Sequence, residues 1–269
     1  MSVVAFASVK SSPGATTAMV AAGHVWPAGR PVLLVEADPA GGDLAARYRV
    51  AVEPGLATLA AAGRRALEPA LVDAHVRHVA GLAMLVSPPT PTPARAAVEL
   101  LGGALGAVLA QLPGDVLVDC GRLDAASPAL PLARAADLVA LVVRPTVIEL
   151  PRVAARSAEL VAAGCVVALV VVGEASTRAD RYPAAEVARE VGLPVVATLA
   201  EDPAGAAVLA GAPVRPRALE RSLLIRSART MVGGLLGLLP DPAPVPATWS
   251  SNGRNPATPT ATPGVEVAR

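Results

Sequence analysis

Seven short runs of apolar, mostly β-branched residues recur along the chain, and Ala/Leu-rich stretches of helical spacing separate most of them. This alternation narrows the folds open to the chain more than any other feature. The runs cover residues 3–9, 32–36, 82–86, 116–119, 138–143, 166–172 and 195–199. Most are nearly continuous in apolar character, as strands covered on both faces of a parallel sheet must be. Helices are expected over 16–26, 94–112, 149–163, 183–191, 204–210 and 220–238, with a Pro/Thr loop at 88–93. Strands alternating with helices give βαβ units. The expected architecture is therefore α/β: a single doubly wound, mostly parallel sheet flanked by helices, over residues 1–239. From Pro240 on, the Pro/Ala/Thr/Ser-rich stretch lacks periodicity and reads as a disordered C-terminal tail. No repeat of 20–50 residues is apparent.

Composition excludes several classes. With 53% hydrophobic and 17% charged residues over 269 positions, the chain can bury a sizeable core. A net charge of +1 argues against a globally basic nucleic-acid binder, so any such contact must be local. Two cysteines, Cys120 and Cys165, make no disulfide framework and no zinc spacing. The longest apolar run, 165–172, falls far short of the ~18 residues a membrane helix requires. No basic segment precedes the first apolar run, so a signal peptide is not expected. The expected location is the cytoplasm. Among 23 Lys and Arg residues, Lys10 is the single lysine. A lone lysine is either chance or the mark of a position where a slim, flexible point charge serves and a planar guanidinium does not.

Chemistry is expected where the strands end. The first strand runs through Lys10-Ser11-Ser12-Pro13-Gly14-Ala15-Thr16-Thr17 into a helix. A strand, a loop of small residues and a helix N-terminus cradle phosphate, because backbone N–H groups and the helix dipole favour an anion there. The Gly-x4-Gly-Lys-Ser/Thr pattern fails, however, with Val9 and Ala15 in place of its first Gly and its Lys. Taken alone, the loop is equally a turn that caps a core helix. The second strand ends in Glu36-Ala37-Asp38 and continues to Gly41-Gly42-Asp43, while strand 116–118 ends in Asp119-Cys120-Gly121. Open α/β sheets bind ligands at such carboxyl ends. A carboxylate there, opposite a loop Thr hydroxyl, suits a hydrated Mg²⁺.

With those residues in place, the chain resembles the ParA/MinD group of P-loop ATPases. That family's loop reads Lys-Gly-Gly-x-Gly-Lys-Thr-Thr with an additional lysine at its start. Lys10, Gly14, Thr16 and Thr17 match it position by position. The segment LLVEADPAGGDLA is similar to the family's switch I, especially in its pilus-assembly and septum-site members. VLVDCG resembles switch II, ADLVALVVRPTVIEL the strand and turn after it, and LPVVATLAEDP the late strand and loop near the adenine. The resemblance spans roughly residues 2–239. It implies ATP and Mg²⁺ as cofactors and a nucleotide-dependent homodimer that acts in partition, septum or pilus positioning. It further implies roles for single residues. Lys10 contacts phosphate, from its own subunit or across a dimer. The loop from Ser11 to Thr17, with Ser12, Pro13 and Ala15, holds the nucleotide, and Asp202-Pro203 approaches its base. Thr16 and Asp119 hold Mg²⁺, with Asp43, a second switch I candidate, as a further ligand; Asp38 positions the attacking water, and Lys10 is counted with it as catalytic.

Two departures bear on activity. Ala15 replaces the lysine that bridges the outer phosphates in the family, and Ser11-Ser12 replace two glycines. Charge-assisted bonds of that kind contribute roughly 1.5–3 kcal/mol each. Their loss weakens binding, and it weakens hydrolysis more, because the same lysine stabilises the transferring phosphoryl. ATP hydrolysis thus stays open. Beside the switch stand a non-hydrolysing scaffold that uses the fold only for protein contacts, and a metabolic ligase of the same superfamily. Elsewhere, Asp73, His75 and His78 read as solvated helix positions rather than a metal site, and Cys120 as a small buried residue. Arg215, Arg217, Arg221, Arg226 and Arg229 read as a solvated face of the last helix or as a patch for DNA backbone or anionic lipid. The apolar residues of that helix are expected to pack on the sheet.

Overall fold

The computed structural model describes residues 1–10, 13–173, 181–211 and 219–240. Ser11, Ser12, Arg215, Arg217 and nearly all of the expected tail, from residue 241 on, lie outside them. The described strands are β1 (Val3–Ser8), β2 (Val32–Glu36), β3 (Arg77–Val79), β4 (Leu82–Leu85), β5 (Asp115–Arg122), β6 (Leu138–Val143), β7 (Val167–Val172) and β8 (Val195–Leu199). They form one sheet in the order β3-β4-β2-β5-β1-β6-β7-β8, parallel except for β3 against β4. The inner strands are buried on both faces and are therefore mostly apolar along their length. Along β1, Val3, Ala5 and Ala7 enter one core layer while Val4 and Phe6 enter the other.

The longer helices are α1 (Ala15–Val25), α5 (Pro91–Leu109), α7 (Leu150–Ala162), α8 (Ala184–Val191) and α10 (Leu223–Leu236). The last was expected to be core, and it is: Leu224, Ile225, Ala228, Met231, Val232 and Leu235 are all buried. Its arginines Arg226 and Arg229, and Arg221 just before its start, are exposed. Among the described residues, no helix is long and apolar enough to cross a membrane.

Several elements had no sequence signal. The helices α2 (Leu44–Tyr48), α3 (Leu56–Ala62), α4 (Pro69–Asp73), α6 (Leu130–Ala135) and α9 (Pro203–Leu209) run five to seven residues. That is too short for a 3.6-residue period to register, and of these only α9 was expected. The edge strand β3 has three residues and joins β4 through the two-residue turn Ala80-Gly81. The 88–93 loop is shorter than expected, since α5 takes up Pro91 and Pro93. In a first turn the missing proline N–H has no helical partner to lose. The reading of the histidines also changes. His75 is buried with Nδ1 2.7 Å from the Leu71 carbonyl oxygen, and His78 lies exposed on β3, so neither is a solvated helix position.

The sheet order places β1 between β5 and β6, with β2 beyond β5. The chain therefore reverses direction across β1, and the crevice at the carboxyl ends of β1, β2 and β5 is where this architecture binds ligands.

Candidate functional site

Gly14 begins the site. It caps α1 at φ 107°, a left-handed conformation that side chains rarely adopt, and it turns the loop after β1 sharply into the helix. Among the described residues, no side chain caps this N-terminus, and the first turn holds no acidic residue. The orphan amides of Ala15, Thr16 and Thr17 are thus left to solvent or to an anion. In front of them lies a cavity of about 650 Å³, whose walls include Gly14, Ala15, Thr16 and Thr17. Asp38, Asp43 and Asp124 contribute from the facing loops, and Arg47, Arg95 and Arg122 supply positive charge.

Three carboxylates organise the floor and walls. Asp119, completely buried in the second half of β5, which runs three residues beyond its expected end, accepts a bond from the Thr16 hydroxyl and a 2.9 Å bond from the Gly121 amide. Burial pushes its pKa up to about 6, against the opposing pull of those two bonds. Asp38 accepts from the Ala40 amide at 2.8 Å, and burial again raises its pKa. Its carboxyl lies over Gly121, where any Cβ would come within 2.2 Å of it. Gly121 also sits at φ 60°, so the close approach and the backbone both demand glycine. Glu36 is almost wholly buried and accepts from the amides of Asp43, Leu44 and Ser87 at 2.6, 2.9 and 2.9 Å. Desolvation outweighs those bonds and carries its pKa to about 7. Glu36 thereby pins both the start of α2 and the loop after β4.

A second cavity of about 430 Å³ lies on the other side of the α1 N-terminus. Gly14 and Thr17 line both, so the first turn of α1 divides one trough into two chambers. Pro13 and Ala18 form one wall of the second; Val172, Leu199 and Leu224 give it apolar surface, Arg144 and Glu201 add charged groups, and Asp202 and Pro203 close it. The Asp202 carboxylate is already engaged. Its oxygens accept from the Gly205 amide at 2.8 Å and the Leu224 amide at 3.3 Å, which caps α9 and holds the start of α10.

Of the residues singled out in the sequence, Gly14, Ala15, Thr16, Thr17, Asp38 and Asp43 line the first chamber, and Asp119 lies buried behind it, bonded to the Thr16 hydroxyl. Pro13, Asp202 and Pro203 line the second. Lys10 is half-buried beyond the end of β1 and lines neither chamber. Asp43 is solvent-exposed on the rim and ion-paired to Arg47 at 3.3 Å, apart from the Thr16–Asp119 pair. Among the described residues, no group of three or more His, Cys, Asp or Glu could hold a metal. Cys120 is buried, and desolvation raises its thiol far above the ordinary range, which leaves it inert. The roles of Glu36, Arg47, Arg95 and Arg122 had no signal in the sequence, because each depends on burial or convergence that only the fold creates.

No protein-family model matches the chain, and no curated protein matches it in sequence. Solved structures do. A ParA family ATPase from Chlorobium tepidum TLS superposes with a TM-score of 0.72 at 18% identity, over 86% of this chain and 98% of that one. The cell division ATPase MinD of Pyrococcus furiosus gives 0.70 at 19% identity, over 88% and 99%. The septum site-determining protein MinD of Pyrococcus horikoshii OT3, complexed with Mg-ADP, gives 0.69 at 17% identity, over 87% and 95%. The chain thus has the ParA/MinD fold across nearly the whole length of these proteins.

Proposed function

We propose that the chain is a ParA/MinD-like nucleotide switch, which binds ATP·Mg²⁺ and acts in the partition or positioning of a cellular structure. The observation that carries this reading is the N-terminus of α1 at Gly14, which no described side chain caps and which faces a chamber lined by Thr16, whose hydroxyl donates to the buried Asp119 carboxylate behind it. Backbone amides from Gly14 to Thr17 would hold phosphate oxygens. Ser11, Ser12 and Lys10 belong to the same loop, Lys10 acting from its own subunit or across a homodimer. The second chamber, part apolar and adjoining the first, would take the base beside Pro203. The likeness to a MinD complexed with Mg-ADP supports the same class of ligand.

A hydroxyl and a carboxylate are hard oxygen donors of the kind Mg²⁺ takes, and so few of them suit an ion that keeps several waters. Thr16 and Asp119 would hold the ion, with Asp43 reaching it only after the rim loop moves. Bound there, Mg²⁺ would neutralise charge on the outer phosphates. Asp38, held by Ala40 and seated on Gly121, would orient a water at the chamber. Ala15 removes the loop cation that would stabilise a transferring phosphoryl, so hydrolysis is slow beside binding. The exposed Arg221, Arg226 and Arg229 offer α10 as a face for DNA backbone or anionic lipid. Ala15 also favours the second reading, a scaffold that no longer uses nucleotide.

Equilibrium binding of a labelled ATP analogue, with and without Mg²⁺, decides between the two. The expected dissociation constant lies in the micromolar to millimolar range. No binding at millimolar nucleotide would leave the scaffold. Ala15→Lys is expected to tighten binding about tenfold or more by restoring one charged contact. Unchanged affinity would mean that the loop does not face phosphate. Lys10 separates by charge geometry: Lys10→Arg is expected to weaken affinity and nucleotide-dependent dimerisation nearly as much as Lys10→Ala. If Lys10→Arg behaves as wild type, the shape of the cation is unimportant. If Lys10→Ala does so too, the lone lysine has no part in the site.

A further inference from the structure

The missing loop lysine leaves a question of charge, since a chamber for polyphosphate walled by several aspartates requires a fixed cation. Three arginines reach that chamber. Arg95 is half-exposed and paired with Glu99 at 3.6 Å on its own helix. Arg122 is exposed at the end of β5, on the side of Asp38. Arg47 differs from both. Its side chain is only 14% exposed although its ion-pair partner Asp43 is 68% exposed, so the guanidinium lies inward along the wall rather than out with the carboxylate. One of its terminal nitrogens, Nη1, donates to the Thr17 hydroxyl at 3.4 Å, on the first turn of α1 where the orphan amides gather. Nη2 meets Asp43 at 3.3 Å. Both contacts are long, and a guanidinium has five N–H donors, so most of its bonding capacity remains available.

The backbone holds this arginine in place. The amides of Asp43 and Leu44 are bonded to the buried Glu36, which fixes the start of α2. At the other end Arg49 closes α2 in a left-handed conformation. The five-residue helix between these anchors carries Arg47 on the side facing α1. Its charge also reaches Asp119 and draws that carboxyl down against the effect of burial.

We propose that Arg47 supplies, from α2, the phosphate-binding cation that Ala15 cannot supply from the loop. This rests on the nucleotide reading given above and deepens it. A planar fork beside Thr17 pairs with two oxygens of one phosphate, where a lysine would act as a point charge. Because α2 follows β2 rather than β1, phosphate binding is then coupled to the Asp38–Asp43 loop: a bound polyphosphate draws Arg47 from Asp43 and frees that carboxylate.

The test is binding of Mg·ATP, Mg·ADP and adenosine to wild type, Arg47→Ala, Arg47→Gln and Ala15→Lys/Arg47→Ala, each checked for folding by its melting curve. Arg47→Ala and Arg47→Gln are expected to weaken Mg·ATP and Mg·ADP about 10- to 100-fold while adenosine is unchanged. Arg47→Gln keeps a donor toward Thr17 and guards against collapse of α2. The double variant is expected to regain at least tenfold, since a cation at position 15 then serves the same oxygens. Wild-type affinity in a folded Arg47→Gln protein would overturn the role of Arg47 and leave the nucleotide reading standing. Equal weakening of adenosine and Mg·ATP would also overturn it, as it would show a general distortion of the trough. Failure of wild type to bind any of the three would overturn the nucleotide reading itself.

Discussion

Asp115→Ala is expected to lower the stability of the protein by about 3–5 kcal/mol, the cost of breaking a buried ion pair and leaving its partners unmatched. The carboxylate stands at the start of β5 with 2% of its surface exposed and accepts four bonds. They come from the Ser2 amide at 2.8 Å, Trp26 Nε1 at 2.9 Å, and Arg30 Nε and Nη2 at 2.6 and 2.9 Å. One side chain thereby joins the start of β1, the end of α1, the turn into β2 and the start of β5. Burial alone would raise its pKa, but the bonds from Arg30 and Trp26 outweigh burial and hold it below the ordinary carboxylate range. Alanine would strand a buried indole N–H and a guanidinium that is only 20% exposed. Nucleotide affinity should change less than twofold, because Asp115 lies at the opposite end of the sheet from the chambers. Urea denaturation measures the first effect and ligand titration the second. A stability loss under 1 kcal/mol would mean that the network does not form in solution.

How far the sequence discloses such features depends on whether they are local. The strands were legible because burial on both faces leaves a continuous apolar run, and β1, β2, β6, β7 and β8 match their expected bounds within one residue. The position of the site was legible for a related reason. Asp38 and Asp119 end apolar strands, and in a parallel sheet strand ends gather at one edge. What sequence could not disclose was burial created by other parts of the chain. Glu36 reads as one polar residue closing a strand, and only packing against residues 42–44 and 87 makes it the anchor of two loops. Arg47 and Arg30 look like any of the 22 arginines until one folds toward Thr17 and the other toward Asp115. Asp202 was expected beside a ligand and does line the second chamber, but its carboxylate serves as a helix cap, a function that depends on Gly205 and Leu224.

The two buried aspartates of β5 sharpen the contrast between structural and functional carboxylates. Asp115 is matched by a guanidinium and held low; Asp119 accepts from a hydroxyl and an amide and has no ion-pair partner among the described residues, and burial outweighs the pull of Arg47 and holds it high, at about 6. A buried carboxylate without a paired cation destabilises the ligand-free protein. Asp119→Asn is therefore expected to raise stability by about 2 kcal/mol at pH 8 in the presence of a chelator. The new side chain keeps its shape and one acceptor for the Gly121 amide, and the Thr16 hydroxyl can rotate to accept from its NH₂. The sign follows from the folded pKa lying above the ordinary value of 3.8. At pH 8 the carboxylate is charged in both states and the penalty is complete. Between about 6 and 3.8 the folded protein holds a proton that the unfolded chain has lost, so the penalty fades as pH falls. The advantage of Asp119→Asn should shrink over that window and vanish near pH 4. The same variant should lose the Mg²⁺-dependent part of nucleotide affinity, since an amide oxygen is a poor substitute for a carboxylate at a hydrated Mg²⁺. A variant less stable than wild type at pH 8 would show that a cation within the protein already balances Asp119. Stability gained together with Mg²⁺ dependence lost would identify it as a carboxylate retained for its ligand against the interest of the fold.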